Sequence, residues 1–291
     1  MFRGTGTALI TPFDEQLNVD YAALKKLVRF QLDSGINSLV VLGTTGEAAT
    51  IDEDERRKIL ETVIEENAGK VPIIAGTGTN DTRHVVKLNK IAEELKADGV
   101  LIVNPYYNKG TQSSLIEHYR YISERTPLPI ILYNVPGRTA MNMLPETILT
   151  IYDKCPNVIG VKEASGDISQ IARLISMKPD DFIVYSGNDD QVIPVMALGG
   201  AGLISVLSNV FPRQTVSLTD AMLKNDLTEA QRINNKFMKF MNLLFAEANP
   251  IPVKYAVSLL GYCKNTLRLP LAVAQTHTAR ILEEEFDRVR S

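Results

Sequence analysis

The sequence predicts an α/β fold, a closed (β/α)8 TIM barrel followed by a C-terminal helical extension. Eight short apolar runs alternate with segments of helical periodicity along the first three quarters of the chain. The runs are continuously apolar, as expected for parallel strands that are buried on both faces. They recur about every 20 to 35 residues, which is the length of a βα unit, and a doubly wound sheet usually has fewer than eight strands.

The strand candidates follow one another in order along the chain. They are residues 7–10, 39–42, 71–75, 100–103, 130–133, 158–162, 182–185 and 203–206. The first intervening helix is indicated by the spacing of Leu24, Leu27, Val28 and Leu32. The second is indicated by apolar residues at positions 59, 60, 63 and 64, and Thr50 and Glu53 have the spacing of a capping box at its start.

The last part of the chain has helical periodicity without strand candidates. The helical segments are residues 227–248, 252–260 and 271–290, and no linker-like stretch precedes them. We therefore expect residues 1–225 to form the catalytic barrel and residues 226–291 to form a helical extension packed on it.

Composition favours a protein with small-molecule partners. The chain has 291 residues, 45% of them hydrophobic, which suffices for a large core without disulfides. Its formal charge is -3 without runs of like charge, so neither a nucleic-acid footprint nor a basic membrane face is predicted. Cys155 and Cys263 lie far apart, and no signal peptide or membrane-spanning stretch is recognisable. These features predict reduced thiols, no Cys-based zinc site and a cytoplasmic location.

Barrel enzymes place their catalytic groups at the carboxyl ends of the strands. The polar segments at these ends are 43–47 (GTTGE), 104–108 (NPYYN), 133–138 (YNVPGR), 162–163 (KE) and 186–190 (SGNDD). Hydroxyl groups, one lysine and one arginine are thus predicted to meet at one mouth. Asp189 and Asp190 would repel a phosphate there, and the strand ends offer no metal triad, so neither a metal nor a cofactor is predicted.

Lys162 is the candidate nucleophile, because it ends a buried strand. Desolvation disfavours an ammonium, and a lysine with a lowered pKa can attack a ketone to form a Schiff base. The alternative is a structural lysine that reaches the barrel rim and pairs with Glu163.

Tyr133, Tyr107 and Thr44 carry hydroxyl groups that can pass the protons needed when a carbinolamine loses water. Taken singly, each can instead be structural, because aromatic residues at strand ends commonly cover the core. Arg138 follows a Pro-Gly turn, and its guanidinium suits a substrate carboxylate, although an exposed arginine with a surface partner is equally compatible with the sequence.

Seven segments resemble the family of 4-hydroxy-tetrahydrodipicolinate synthases, also called dihydrodipicolinate synthases, within the pyruvate-dependent class I aldolases. They are GTTGE, NPYYNK, YNVPGRT, GVKEASGD, SGNDD, GGAGLISV and NPIPVK. The resemblance implies a lyase of lysine and diaminopimelate biosynthesis that needs no cofactor. Lys162 would form an imine with pyruvate, whose enamine attacks L-aspartate 4-semialdehyde, and Tyr133, Thr44 and Tyr107 would form the proton relay.

The resemblance also implies how the substrates are held. Thr45 would bind the carboxylate of pyruvate, Arg138 would bind that of the semialdehyde, and Gly187 and Ile204 would line the pocket. Family members are usually homotetramers built from tight dimers, with Tyr107 acting in the neighbouring subunit's site. The alternatives are a retro-aldolase of the same superfamily, such as N-acetylneuraminate lyase or a 2-keto-4-hydroxy acid aldolase, and a ligand-binding barrel without catalysis.

A lysine-effector site is implied as well, at Ala49, Asn80 and Tyr106. Three positions depart from those of lysine-sensitive bacterial members, which commonly carry two histidines and a glutamate. This chain has Glu53, Arg56 and His84 there. The added cations predict weak inhibition by lysine. Asn104 and Ala48 also stand where many members have Thr and Ser, and neither is in the relay.

Overall fold

The structure is a computed structural model that describes residues 2–290. Met1 and Ser291, the outer ends of the two predicted segments, lie outside the described residues. Within that range, eight parallel strands close into a barrel in chain order, and β8 pairs with β1. This confirms the predicted fold class. The strands are β1 Gly4–Ala8, β2 Ser38–Val41, β3 Ile73–Gly76, β4 Gly99–Val103, β5 Ile130–Asn134, β6 Val158–Glu163, β7 Ile183–Ser186 and β8 Gly202–Ser205.

Helices surround the barrel and extend beyond it. Between residues 2 and 290 they are α1 Tyr21–Asp33, α2 Glu53–Asn67, α3 Thr82–Glu94, α4 Gln112–Ser123, α5 Pro136–Thr139, α6 Pro145–Lys154, α7 Ile168–Met177, α8 Val192–Ala197, α9 Pro212–Leu223, α10 Leu227–Leu243, α11 Ile251–Leu259 and α12 Thr276–Arg290. Single 3-10 turns at Thr44–Gly46, Ala48–Thr50, Asp189–Gln191 and Leu207–Asn209 follow strands or precede helices at the mouth.

Two apolar layers form the core. The barrel interior contains residues such as Ile74, Ile131 and Tyr185, and a larger shell fills the space between the strands and the helices. At one level of the barrel Tyr133 is in register with Lys162, which is in register with Tyr185. Strand pairing therefore sets the two candidate catalytic side chains next to each other.

The first strand begins three residues earlier than predicted, at Gly4 instead of residue 7. Thr5 and Thr7 are fully buried, because outer helices satisfy their hydroxyl groups. Thr5 donates to the carbonyl of Thr215, and Thr7 donates to Oε1 of Gln31 at 2.7 Å. Buried threonines with such partners fit a strand as well as valines do.

The predicted capping box at Thr50 and Glu53 is wrong. Asp52 caps α2, because its carboxylate accepts from the amide of Glu55 at 2.8 Å and Oε2 of Glu55 accepts from the amide of Asp52 at 3.3 Å. Thr50 belongs to the preceding 3-10 turn, so it cannot cap this helix.

Two of the three predicted C-terminal helices are shorter than predicted, and α11 is shifted by one residue. Helix α10 ends at Leu243 instead of residue 248, and α12 begins at Thr276 instead of residue 271. Residues 244–250 form turns that carry Asn249 to the barrel mouth, where its side chain contacts Thr45. The division of the chain at residue 225 remains a prediction.

Candidate active site

Lys162 lies near the carboxyl end of β6 and is only 5% exposed. Its Nζ lies 4.4 Å from the centre of the Tyr133 ring, so the structure brings the candidate nucleophile and the candidate acid together. The alternative pairing with Glu163 is wrong, because adjacent residues of a strand point to opposite faces. The carboxylate of Glu163 instead accepts from Nδ2 of Asn134 at 3.1 Å and from the amide of Ser165 at 2.7 Å. Burial raises the pKa of Glu163.

Gly187 leaves room for the Lys162 side chain. A Cβ at position 187 would lie 2.6 Å from Cβ of Ala164 and 3.1 Å from Cε of Lys162. Ile204 is fully buried in the barrel interior, in the same cluster as Tyr133. Gly187 thus lies next to Lys162 and Ile204 lies in the interior cluster of Tyr133, and their role in lining the pocket stays a prediction.

Asp189, for which the sequence predicted only repulsion of a phosphate group, is a buried carboxylate. Its oxygens accept from Oγ of Ser205 at 2.5 Å and from the amides of Val206 and Leu207 at 2.9 and 3.3 Å. Burial raises the pKa of Asp189, and these bonds together with the charge of Lys162 partly offset the increase. Asp189 therefore fixes the end of β8 and places a carboxylate within electrostatic reach of the lysine.

The Thr44–Gly46 turn follows β2 and presents two hydroxyl groups of different exposure. Thr44 is half-buried, and Thr45 is 3% exposed. Oγ1 of Thr45 accepts a hydrogen bond from Nδ2 of Asn249 at 2.9 Å. The hydroxyl hydrogen of Thr45 remains free to donate to an anion.

A buried ion pair joins this turn to the C-terminal helices. Nζ of Lys254 lies 2.5 Å from Oε1 of Glu47, and both side chains are at most 1% exposed. Oε2 of Glu47 accepts from the amide of Arg268, and Nζ of Lys254 lies 3.9 Å from the centre of the Phe13 ring. Burial lowers the pKa of Lys254, and the charge of Glu47 acts in the opposite direction. The pair links the GTTGE and NPIPVK segments, a contact that the sequence analysis missed.

Arg138 lies on α5, directly after β5, at the edge of the mouth. Its Nη2 donates to the carbonyl oxygen of Asn249 at 3.0 Å. Arg138 is exposed, and within residues 2–290 no carboxylate lies within 4.0 Å of its guanidinium. The carboxylate-binding role and the alternative of an exposed arginine with a surface partner both stay predictions. The guanidinium retains donors for a ligand.

Tyr107 does not enter the mouth of its own chain. It follows β4 with a φ of 70° and is 91% exposed. The structure therefore brings together Lys162, Tyr133 and Thr44 but leaves Tyr107 on the surface.

One cavity of about 610 Å³ connects the mouth with the predicted effector residues. Thr44, Tyr133 and Arg138 line one part of it. Ala49, Asn80 and Tyr106 line the other part, together with Glu53, Arg56 and His84. No cluster of three potential metal ligands from His, Cys, Asp and Glu occurs in residues 2–290. Over the same range, none of the helices has the length and apolar character required to cross a membrane.

Comparisons with known proteins agree with these observations. A model of the dihydrodipicolinate synthetase family matches residues 1–287. The 4-hydroxy-tetrahydrodipicolinate synthase of Thermotoga neapolitana is 51% identical over 286 residues, which are 97% of each chain. The crystal structure of dihydrodipicolinate synthase from Thermotoga maritima has a TM-score of 0.98 and 48% identity, covering 100% of this chain and 99% of its own.

A structure of the Cyanidioschyzon merolae enzyme with lysine bound has a TM-score of 0.95 at 37% identity, and the alignment covers 99% of this chain and 98% of its own. The resemblance stated from the sequence is thereby confirmed over nearly the whole length. The chain belongs to the dihydrodipicolinate synthetase family.

Proposed function

We propose that this enzyme condenses pyruvate with L-aspartate 4-semialdehyde through a lysine Schiff base, giving 4-hydroxy-tetrahydrodipicolinate for lysine and diaminopimelate synthesis. The observation that carries the proposal is the buried Lys162 amine, whose Nζ lies 4.4 Å from the centre of the Tyr133 ring, because Tyr133 and Arg138 line the same cavity. Relatives about half identical over nearly the full length are named 4-hydroxy-tetrahydrodipicolinate synthase.

Lys162 is the nucleophile in this proposal. Its free amine attacks the ketone carbon of pyruvate, and the resulting carbinolamine loses its hydroxyl group as water to form the imine. Loss of a methyl proton converts the imine into an enamine, whose carbon attacks the aldehyde carbon of the second substrate while the aldehyde oxygen takes up a proton, and the imine is formed again. The amino group of that substrate then attacks the imine carbon, and the ring closes as Lys162 leaves as the free amine. These steps move protons at the reacting atoms, and Tyr133 carries a hydroxyl group on a ring whose centre lies 4.4 Å from Nζ of Lys162.

Substrate binding is assigned to groups with unused donors. The amide of Asn249 occupies the oxygen of Thr45, so the Thr45 hydroxyl hydrogen donates to the pyruvate carboxylate. Arg138 has no carboxylate partner in the described chain, and its fork binds the carboxylate of the semialdehyde. Gly187 and Ile204 shape the wall next to Lys162.

Tyr107 completes the relay with Thr44 and Tyr133 from a neighbouring subunit. Its 91% exposure in the single chain supports this role, because an aromatic side chain so exposed is available to a partner. We accordingly propose a homotetramer built from tight dimers, in the cytoplasm, where the two unbonded cysteines remain reduced.

The retro-aldolase alternative uses the same imine but a different second substrate. Arg138 favours the synthase, because a small acidic aldehyde needs a compact cation that a sugar does not. A barrel that only binds ligands would form no covalent adduct.

The test is incubation with pyruvate and borohydride, followed by mass spectrometry of the peptide containing residue 162. The expected result is a reduced pyruvyl adduct on Lys162 and consumption of pyruvate when aspartate semialdehyde is added. The absence of an adduct would refute the imine, and an adduct without consumption would refute the synthase.

A further inference from the structure

A second cavity lies on the outside of the barrel, between α1, α9, α10 and α12. Its volume is about 480 Å³, and none of its lining residues also lines the cavity at the mouth. Helices α1 and α9 belong to the predicted barrel, whereas α10 and α12 belong to the predicted extension. A ligand in this cavity would therefore touch both parts of the chain and none of the groups assigned to the condensation.

Basic side chains dominate the charge of the cavity wall. Four basic residues line it, namely Arg213, Arg232, Lys236 and Arg290. Among the described lining residues, the one acid is Glu229. Arg232 neutralises this acid, because its Nε and Nη2 donate to the two carboxylate oxygens at 2.6 and 2.7 Å. The wall is thus positive, although the whole chain has a formal charge of -3.

The three other cations are not neutralised by the described chain. Within residues 2–290, no carboxylate oxygen lies within 4.0 Å of the nitrogen atoms of Arg213, Lys236 or Arg290. Arg213 uses one of its five donors, because its Nη2 donates to the carbonyl of Asp33 at 3.4 Å. The guanidinium of Arg290 lies 5.0 Å from the centre of the Phe286 ring, a contact that leaves its full charge in place. Three cations on one wall repel one another, and an anion between them removes that repulsion.

Apolar side chains form another part of the wall. Phe211, Ile233 and Phe237 line the cavity and are at most 6% exposed. Phe30 and Leu260 also line it and are only half-buried. A ligand with an apolar part gains free energy by covering such surface, whereas a bare inorganic anion does not.

We propose that this cavity binds a small organic anion that carries two or more negative charges on an apolar body such as a ring. Arg213, Lys236 and Arg290 pair with its charged groups, and its apolar body packs on side chains such as Phe30 and Leu260. The proposal goes beyond the condensation reaction and does not rest on it.

Calorimetric titration with naphthalene-1,3,6-trisulfonate at one fixed ionic strength tests the site, because this probe joins three negative charges to an aromatic body. Arg213→Met and Lys236→Met are each compared with Lys224→Met. Lys224 is exposed, has no carboxylate within 4.0 Å in residues 2–290 and follows the far end of α9, about 16 Å along the helix from Arg213. The dissociation constant should rise at least fivefold with each cavity variant and remain within twofold with Lys224→Met.

Equal effects of Lys236→Met and Lys224→Met, or no binding of the probe to the wild-type protein, would overturn the proposal. Inorganic phosphate that binds as tightly as the probe would overturn the apolar part of the assignment. Naphthalene-1-sulfonate that binds as tightly would overturn the requirement for more than one charge.

Crystals of the wild-type protein soaked in the probe keep the proposal falsifiable if a cavity variant does not fold. Density between α9 and α10 is expected, whereas density only at the barrel mouth would refute this site. The borohydride adduct on Lys162 should form equally in the wild type and in Lys236→Met. Failure of the imine chemistry and failure of this site therefore give separate results.

Discussion

Breaking the buried pair between Glu47 and Lys254 should be costly in both stability and substrate binding. In Lys254→Met, Glu47 keeps only the amide of Arg268, 3.0 Å away, as a partner. Both side chains are at most 1% exposed, so water cannot replace the lost ammonium. Removing one member of a buried pair costs about 3 to 5 kcal/mol. The pair also holds the turn that carries Thr45, the proposed ligand of the pyruvate carboxylate. The KM for pyruvate should therefore rise as well.

The double variant Glu47→Gln with Lys254→Met separates the charge effect from packing. It removes both charges, and such replacements are often nearly neutral, so it should be more stable than Lys254→Met alone. Lys264→Met is the matched control in the same C-terminal segment. Lys264 pairs with Glu15 at 2.7 Å, but the two side chains are 50% and 70% exposed, so this loss should cost much less than that of Lys254.

Urea unfolding at one fixed protein concentration gives the free energies, and steady-state assays give the KM for pyruvate. A loss of less than about 1 kcal/mol in Lys254→Met would show that the buried pair contributes little. Glu47→Gln is measured alone as well, and a double variant whose loss equals the sum of the losses of Glu47→Gln and Lys254→Met would show that the charges do not interact. Either result would refute the reasoning.

The remaining predictions concern single groups. Lys162→Ala should lower turnover about a thousandfold or more with the fold unchanged by circular dichroism, and near-normal turnover would remove Lys162 from the imine. Mixed dimers of Tyr107→Phe and Lys162→Ala chains should regain one complete site, and hybrids without activity would place Tyr107 in its own chain's site. Millimolar lysine should inhibit weakly, because Arg56 adds a cation to the effector site and the carboxylate of Glu53 is paired with Lys87. Strong inhibition, together with tight calorimetric binding of lysine to the pyruvate-loaded enzyme, would contradict this. Burial lowers the pKa of His118 from 6.5 to about 4, so the unfolded chain takes up a proton before the native protein does as the pH falls. The stability advantage of the wild type over His118→Phe should therefore shrink by up to about 3 kcal/mol between pH 6.5 and pH 4, and a pH-independent difference would refute it.

The strand order and the strand-end positions of Lys162, Tyr133 and Arg138 were predictable from local pattern. Each follows a continuous apolar run, and strands of a parallel barrel place such residues at one mouth. Their chemical roles remain predictions. Local pattern failed where polar residues are buried with partners, as in β1, where Thr5 and Thr7 bond to outer helices. Local pattern also gave the wrong N-cap for α2. Thr50 and Glu53 have the same three-residue spacing as Asp52 and Glu55, so the spacing alone does not show which pair forms the capping box. The backbone decides it, because Thr50 lies in a 3-10 turn and Asp52 directly precedes the helix.

Long-range polar contacts were out of reach for the same reason. Lys254 stands in the otherwise apolar segment IPVKYAV, where a lysine is normally read as one that reaches the solvent. Its partner Glu47 is more than two hundred residues away, at a left-handed position with a φ of 55°. A charged residue within a buried apolar helix was the available signal, because such a group needs a counter-ion in the core.

The C-terminal helices are part of the mouth as well as a cover for the barrel. Without them, Glu47 would have neither Lys254 nor the amide of Arg268, and Thr45 would lose the amide of Asn249. The carbonyl of Asn249 also holds Arg138, so one residue of this segment contacts both proposed carboxylate-binding groups. A change at Asn249 therefore reaches both Thr45 and Arg138 through direct hydrogen bonds. The NPIPVK, GTTGE and YNVPGRT segments thus form one hydrogen-bonded unit at the barrel mouth.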